Sequence, residues 1–466
     1  MKFDLCVIGG GAGGFAAAIR ANELKAKTVL INTGLPMGGT CMNVGCVPSK
    51  TLIHAADVLH RTRHHGIPGI DLKIKRFNFR KVIEDELSLV AKLRVEKYSK
   101  VLTHLEYVHF IDGKGRFNGP NELEVNGKKI ISGKFIIACG STATIPPIEG
   151  IHDVGFLTHV EALKIVQQPK ELIVIGAGPL ALEFSQLYSR FASKVIMLVR
   201  KSSIFTRAEK ELIDRLIQIF TEERIDIRTN TEVKRAFNAN GKKHLICVKN
   251  GKEETISADE ILLATGKTPN TQGIRADVAG VKIDERQAIV VNQFLQTSQK
   301  HIYAVGDVTN LPLRLETTAG HEGTLAAENA LNGAKNFIDY NTVPYTIFTD
   351  PQLASIGITE SDQMRETGVC ACKTVSFSEV SKAHIMRRTE GLIKMIIDPN
   401  TKKILGVHIL SPNAGELIAE AMALMKGDQT IDDVIHALPI FPTMSEALKI
   451  AALAFYKDIS KLSCCI

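Results

Sequence analysis

Twice in this chain an apolar strand runs into a glycine turn and out into a helix, and that repeat limits the folds open to it. The first copy has a strand over 3–8, then Gly9-Gly10-Gly11-Ala12-Gly13-Gly14, a helix expected over 15–24 and a second strand over 28–31. Gly9, Gly11 and Gly14 hold the three positions of G-x-G-x-x-G. The first makes the tight turn, the second lets backbone approach a pyrophosphate, and the third allows close helix–strand packing. The helix N-terminus then faces the anion. Alone the pattern is weak, but between a strand and a helix it points to dinucleotide binding. The ribose-binding acid expected at the end of the second strand is Asn32 instead, an amide that can still bond a hydroxyl.

The second copy spans 171–183, with Gly176 and Gly178 at the turn and approach positions and Ala181 replacing the third glycine. Its second strand is expected over 194–198. The acidic position falls on apolar Val199, followed by Arg200 and Lys201. With no acid for a free 2′-hydroxyl and two cations ready for a 2′-phosphate, NADPH is favoured over NADH. The alternative is that the two cations form a solvated turn.

Between the two copies lies Gly38-Gly39-Thr40-Cys41-Met42-Asn43-Val44-Gly45-Cys46-Val47-Pro48-Ser49-Lys50. Pro48 suits the first turn of a helix that continues without a breaker to Leu59. In a regular helix, five residues separate two Cα atoms by roughly 7.5 Å along the axis and turn them to different faces. A disulfide needs about 4.4 to 6.8 Å. If the cysteines pair, the first turn is irregular, and Gly45 is where distortion costs least. Cys46, near the helix N-terminus and four residues before Lys50, is expected to have a lowered thiol pKa. Two structural thiols or half of a zinc site are the alternatives. No second close pair follows at zinc-ribbon spacing, so a redox dithiol is the better reading.

Composition supports a soluble chain with many βα turns: 45% apolar, 23% charged, 36 glycines and no tryptophan. At 466 residues it has room for three domains. The net charge of +7 is dispersed, a mild bias toward anionic ligands with no nucleic-acid footprint. No apolar run approaches the ~20 residues of a membrane span. The N-terminus enters a strand at once, unlike a signal peptide, and nine unevenly spaced cysteines do not make a secreted framework. A cytoplasmic protein is expected. Two dinucleotide folds with a dithiol after the first imply two nucleotides, one of them a flavin. The segments 136–141, with Gly140, and 261–270, with Gly266, mark where the chain crosses between domains. The stretch 302–308 reads as a strand ending in glycine and Asp307, well placed to hold a ligand hydroxyl.

On these motifs, in this order over essentially the whole length, the chain resembles the class I pyridine nucleotide–disulfide oxidoreductases, in the branch containing mercuric reductase, glutathione reductase and dihydrolipoamide dehydrogenase. The resemblance implies an α/β chain of two Rossmann-like domains, for FAD and NAD(P)H, and a C-terminal α+β dimerisation domain. It divides the chain into 1–147 (first part of the FAD domain), 148–268 (NAD(P)H domain), 269–340 (central FAD segment) and 341–466 (dimerisation domain). By the same resemblance Cys46 is the thiol against the flavin, Cys41 the interchange thiol, and Asp307 the ligand of the ribityl chain. Gly39 and Thr40 line the FAD site, and Lys50 and Glu183 form the ion pair near the reactive flavin nitrogen.

The last third discriminates within that family. Strands are expected over 391–398 and 403–410 and helices over 413–426 and 444–456. Between the helices stands Phe441, where the disulfide reductases carry a histidine acid–base oriented by the glutamate matching Glu446. Phenylalanine moves no proton, so an organic disulfide substrate loses its acid. The chain ends Ser463-Cys464-Cys465-Ile466. Adjacent thiolates suit a soft ion, and the tail resembles the vicinal pair of the mercuric reductase branch. Tyr98 matches an active-site tyrosine there, whereas Phe441 departs from a second tyrosine common in that branch. The resemblance implies NADPH-driven reduction of Hg(II) supplied as thiol complexes, in a homodimer whose subunits share each site. Cys464 and Cys465 deliver the metal to Cys41 and Cys46. A disulfide reductase is the rival among enzymes, and a thiol-based metal-binding flavoprotein the rival from another class. Incidental burial is expected for Cys139, Cys247, Cys370 and Cys372.

Overall fold

The computed structural model describes residues 1–463, and Cys464 and Cys465 lie outside them. Lys2–Ile8 is the centre of the first sheet. It pairs in parallel with Thr28–Asn32 on one side, Val7 opposite Leu30, and with Lys128–Ile137 on the other, Val7 opposite Ile136. Val108–Asp112 extends the parallel sheet beyond Thr28–Asn32. The first half of Lys128–Ile137 takes the antiparallel strand Glu122–Val125, and its last residues take Ile302–Ala304 in parallel. Leu5, Val7, Ile136 and Ile137 are fully buried, as expected of strands covered on both faces. The helix after the first glycine turn, Ala12–Glu23, packs beside Glu316–Asn332.

The second sheet repeats the plan. Asp226–Arg228, Lys194–Leu198, Glu171–Ile175 and Glu260–Leu263 lie in that order, all parallel. An antiparallel meander of Thr231–Ala239, Lys242–Lys249 and Lys252–Ala258 stands beside it. At the crossings Ser141–Ala143 pairs with Lys267–Pro269. The C-terminal unit is a five-stranded antiparallel sheet from Tyr345–Ile347 to the edge strand Ala371–Ser376, with the helices Ala414–Lys426 and Glu446–Leu453 on its core. The architecture is therefore α/β, two Rossmann-like units followed by an α+β unit.

Two local expectations are refined. The helix expected from residue 15 starts at Ala12, so its first turn lies within the glycine run. The strand expected over 302–308 is Ile302–Ala304 and then a 3-10 turn, Gly306–Val308, because Gly306 has a left-handed φ of 72°.

A buried guanidinium joins the three units. Arg190, on the helix Pro179–Arg190, binds Asp57, Glu223 and Asp350. Losing one carboxylate would leave buried guanidinium N–H donors without a partner, so this network holds the units in register. Among the described residues, no helix is long and apolar enough to cross a membrane.

Candidate active site

Cys41 lies within a short helix, Gly39–Val44, and Cys46 opens a long one, Cys46–His64. The irregular turn anticipated at Gly45 is thus a full break between two helices. A Cβ on Gly45 would stand 2.8 Å from the Thr40 carbonyl oxygen and 3.1 Å from the Cys41 Cα. Only a residue without a side chain lets the helices close this far and bring the two sulfurs together. Pro48 is the third residue of the long helix, within the turn where its missing N–H has no intrahelical acceptor.

The two thiols are electrostatically unequal. Cys41 hydrogen-bonds to Cys46, which lowers the Cys46 pKa to about 7 against the opposing effect of burial, and Lys50 one turn on lowers it further. Cys41 keeps its proton, raised first by that hydrogen bond and then by burial. The pair is therefore one thiol and one nascent thiolate, with Cys46 the nucleophile. The Lys50 ammonium is 2.7 Å from Glu183 Oε2 and 4.6 Å from the Phe348 ring centroid. Glu183 Oε1 accepts the Phe348 N–H at 2.9 Å. Tyr98, in the wide π turn Val95–Ser99, packs 4.9 Å from Phe15, ring centre to ring centre. Burial first, then the neighbouring Cys41 and Glu316, push its phenol up to about 12.

Cys41, Cys46, Lys50, Glu183 and Phe348 line a cleft of about 1630 Å³, whereas Tyr98 stands outside its walls. The same cleft is lined by the first glycine turn, Gly39, Thr40, Gly140 and Asp307. The turn is closed by bare backbone. A Cβ on Gly9 would stand 2.2 Å from the Ala138 carbonyl oxygen, and one on Gly14 only 1.8 Å from that of Gly9. Gly11, by contrast, has its nearest such neighbour at 3.8 Å, so backbone is presented to open space. This cradle fits the pyrophosphate of a dinucleotide such as FAD. Asp307 accepts from Ser141 Oγ at 2.6 Å. Its turn is held by Glu322, which accepts from Gly306 N–H at 2.6 Å and the Tyr340 hydroxyl at 2.9 Å.

Asn32 lines the cleft, but both ends of its amide are engaged. Oδ1 accepts from Gly10 N–H and Nδ2 donates to the Leu35 carbonyl, each at 2.9 Å. These bonds shape the glycine turn, and the amide keeps a second Nδ2 hydrogen and a second Oδ1 lone pair for the hydroxyl contact read from sequence. At the second turn Gly176 has φ 146° and Gly178 caps the helix Pro179–Arg190. Val199 is buried completely and Arg200 and Lys201 are exposed. These residues and Gly266 stand apart from the walls of the large cleft, which instead include Arg207.

Glu446, the first residue of its helix, has a carboxyl raised by burial. Neither it nor Phe441 lines the cleft of its own chain. Phe441 belongs to an exposed apolar run with Ile440 and Leu438, the last 94% exposed. Two carboxylates went unnoticed in the sequence. Glu316, at the start of Glu316–Asn332, faces the dithiol and disfavours charge on both sulfurs. Glu322 lies two turns along the same helix. Only their spacing along an unrecognised helix could have signalled them.

The comparisons agree with this geometry. The family model "Pyridine nucleotide-disulphide oxidoreductase" matches residues 3–330, and its dimerisation domain matches 343–452. A mercuric reductase of Staphylococcus aureus is 36% identical over 99% of this chain and 84% of its own. A dihydrolipoyl dehydrogenase of Thermus scotoductus is also 36% identical, over 98% of each chain. The HOCl-induced flavoprotein disulfide reductase RclA from Escherichia coli superposes with a TM-score of 0.86 at 27% identity, covering 97% of this chain and all of that one. The chain belongs to the pyridine nucleotide–disulphide oxidoreductase family, as a mercuric reductase-like flavoprotein oxidoreductase with FAD and NAD(P)H as its cofactors and a dimerisation domain at its C-terminal end.

Proposed function

We propose that the chain reduces Hg(II) to Hg(0) with NADPH, taking the ion from thiol complexes. The observation that carries this reading is the poised thiol–thiolate pair, joined to the resemblance that sets Phe441 where disulfide reductases carry an imidazole. A soft ion needs thiolates and electrons but no proton donor at a leaving sulfur. The sum is NADPH + Hg(II) → NADP⁺ + H⁺ + Hg(0). Bound FAD supplies the two-electron relay between nicotinamide and sulfur. Gly9, Gly11, Gly14, Gly39, Thr40, Gly140 and Asp307 would hold it, with Lys50 and Glu183 beside it.

Cys46 is the first sulfur to bind the incoming ion, since it is the one already near deprotonation at neutral pH. Cys41 follows and loses its proton as metal–sulfur bonding replaces its hydrogen bond to Cys46. Tyr98 stays neutral beside them. Cys464 and Cys465 deliver the ion, each incoming sulfur binding before an outgoing one leaves. The exposed run Leu438, Ile440 and Phe441 is apolar surface for a partner subunit, so the tail and Glu446 act at the partner's cleft in a homodimer. The working division of the chain stays at 1–147, 148–268, 269–340 and 341–466, and the location is cytoplasmic.

NADPH is preferred because Val199 offers no carboxylate and Arg200 and Lys201 supply charge. Arg200→Glu is expected to weaken NADPH more than NADH, and equal losses would refute the assignment.

A disulfide reductase is the second reading. It is favoured by the Glu316 carboxyl beside both sulfurs and by the likeness to a dihydrolipoyl dehydrogenase. Steady-state NADPH oxidation by the purified holoenzyme separates the two. Turnover should depend on thiol-bound Hg(II) and stay near background with oxidised glutathione or lipoamide. The reverse order of acceptors would establish the second reading.

A further inference from the structure

A second thiol pair lies far from the cleft, on the edge strand of the C-terminal sheet. Cys370 and Cys372 flank Ala371 at the start of Ala371–Ser376, and two-residue spacing on a strand sends both side chains to one face. On that face they meet Glu360, the first residue of the helix Glu360–Thr367. One ligand atom from each of the three lies within 4.8 Å of the others, and all three residues are half-buried. The arrangement is built. Gln363, buried on the same helix, accepts the Ala371 N–H at 3.1 Å and donates to the Ile397 carbonyl at 2.8 Å. This pins the strand start, and with it both sulfurs, against the helix that carries Glu360.

We infer that Cys370, Cys372 and Glu360 form a binding site for one thiophilic metal ion, separate from the catalytic dithiol. Metal–sulfur bonds of about 2.3 Å require sulfurs roughly 3.8 Å apart in a tetrahedral site and at most roughly 4.6 Å apart in a linear one. Ligand atoms all within 4.8 Å of one another are close to that range. Two thiolates select soft ions of the zinc, cadmium and mercury kind over magnesium or calcium. Binding displaces two thiol protons and leaves a fourth position open to water or an incoming thiol. Lys394 is the charge that faces the site from the neighbouring strand. It is bonded to Glu360, and also to Glu209 and Glu211, each at 2.9 Å. The ion therefore takes Glu360 from a cation that keeps two other carboxylates.

The inference does not rest on Hg(II) being the substrate, and its test uses Cd(II). The FAD-loaded full-length protein with Cys41, Cys46, Cys464 and Cys465 changed to Ser is reduced with a phosphine, desalted without oxygen and titrated with Cd(II). One equivalent should bind, with an ultraviolet thiolate-to-metal charge-transfer band. Adding Cys370→Ser and Cys372→Ser should remove both band and equivalent, and Glu360→Gln should weaken binding about tenfold or more. In the otherwise unchanged chain, Cys370→Ser with Cys372→Ser should cost one Cd(II) equivalent while NADPH turnover persists, a readout independent of how the multiple variant folds. An unchanged Cd(II) stoichiometry in that double variant, or no band in the four-serine protein, would overturn the site.

Discussion

The two thiol pairs among the described residues differ in what surrounds otherwise similar sulfurs. Cys41 and Cys46 sit at a helix break with Lys50 one turn away, and their shared proton stays on Cys41. Cys46 is thereby lowered to about 7. Cys370 and Cys372 sit on an edge strand, where Cys372 is pushed up to about 12 by burial first and then by Cys370, with Glu360 adding to the rise. One environment makes a nucleophile at neutral pH. The other keeps Cys372 a thiol at neutral pH. The difference teaches that cysteine spacing says little about reactivity until the neighbouring charges are placed.

The largest expected contrast is in turnover. Cys46→Ser should abolish acceptor-dependent NADPH oxidation, a loss of about ten-thousandfold or more. Cys372→Ser should leave it near the wild-type rate. Similar losses in both variants would erase the distinction between the pairs. Peptide mapping after brief iodoacetamide treatment of the reduced protein at pH 7 gives the matching chemical result, with label on Cys46 and almost none on Cys372.

Next in size is Gly45→Ala. The added methyl meets backbone of Thr40 and Cys41 that has nowhere to go, so the helices must part. A destabilisation of about 1–3 kcal/mol is expected from such overpacking. Misplacing one sulfur by about an ångström should cost turnover about a hundredfold. Calorimetry and steady-state rates measure the two effects. A variant with unchanged turnover would show that the break does not set the sulfur geometry.

How much of this was legible beforehand follows from the range of each interaction. The two strand–glycine–helix units are local patterns, and both glycine turns formed where the motifs lie. Val199 as an apolar substitute for the acid was equally local, and the structure buries it. The irregular turn at Gly45 was expected on condition that the cysteines pair, although a separate helix at Gly39–Val44 was not. The bonds of Asn32 to Gly10 and Leu35 had no local signal, because they are set by how the loops fold back. Glu316 and Glu322 went unseen because their role depends on a helix returning to the first sheet from far along the chain. Cys370 and Cys372 were read as incidental burial, and Glu360 and Gln363 reach them only through tertiary packing, which no local pattern shows.

A smaller effect isolates the cation. Lys50→Met removes the charge that helps hold Cys46 as a thiolate, so the midpoint of its alkylation rate against pH should rise by about one unit. The sign is fixed: Cys46 reacts above its pKa, and losing a nearby cation moves that pKa up. Cys372 labelling should not change in the same samples. A midpoint that stays near 7 would leave the hydrogen bond from Cys41 as the sole cause.

The smallest expected effect tests the carboxylate that faces the catalytic pair. Glu316 raises the pKa of both Cys41 and Cys46, the same sense in which Glu360 acts on Cys372. Glu316→Gln keeps the shape and removes the charge, so the Cys46 alkylation midpoint should fall by about half a unit, less at high salt because Glu316 is exposed. Below pH 7 the variant should therefore be alkylated faster than wild type, opposite in sign to Lys50→Met. If Glu316 also supplies a proton to a leaving sulfur, the same variant should lose turnover with disulfide acceptors while keeping it with thiol-bound Hg(II). Equal turnover on both acceptors, with the midpoint lowered, would make Glu316 a purely electrostatic neighbour and remove the main structural support for the disulfide-reductase reading.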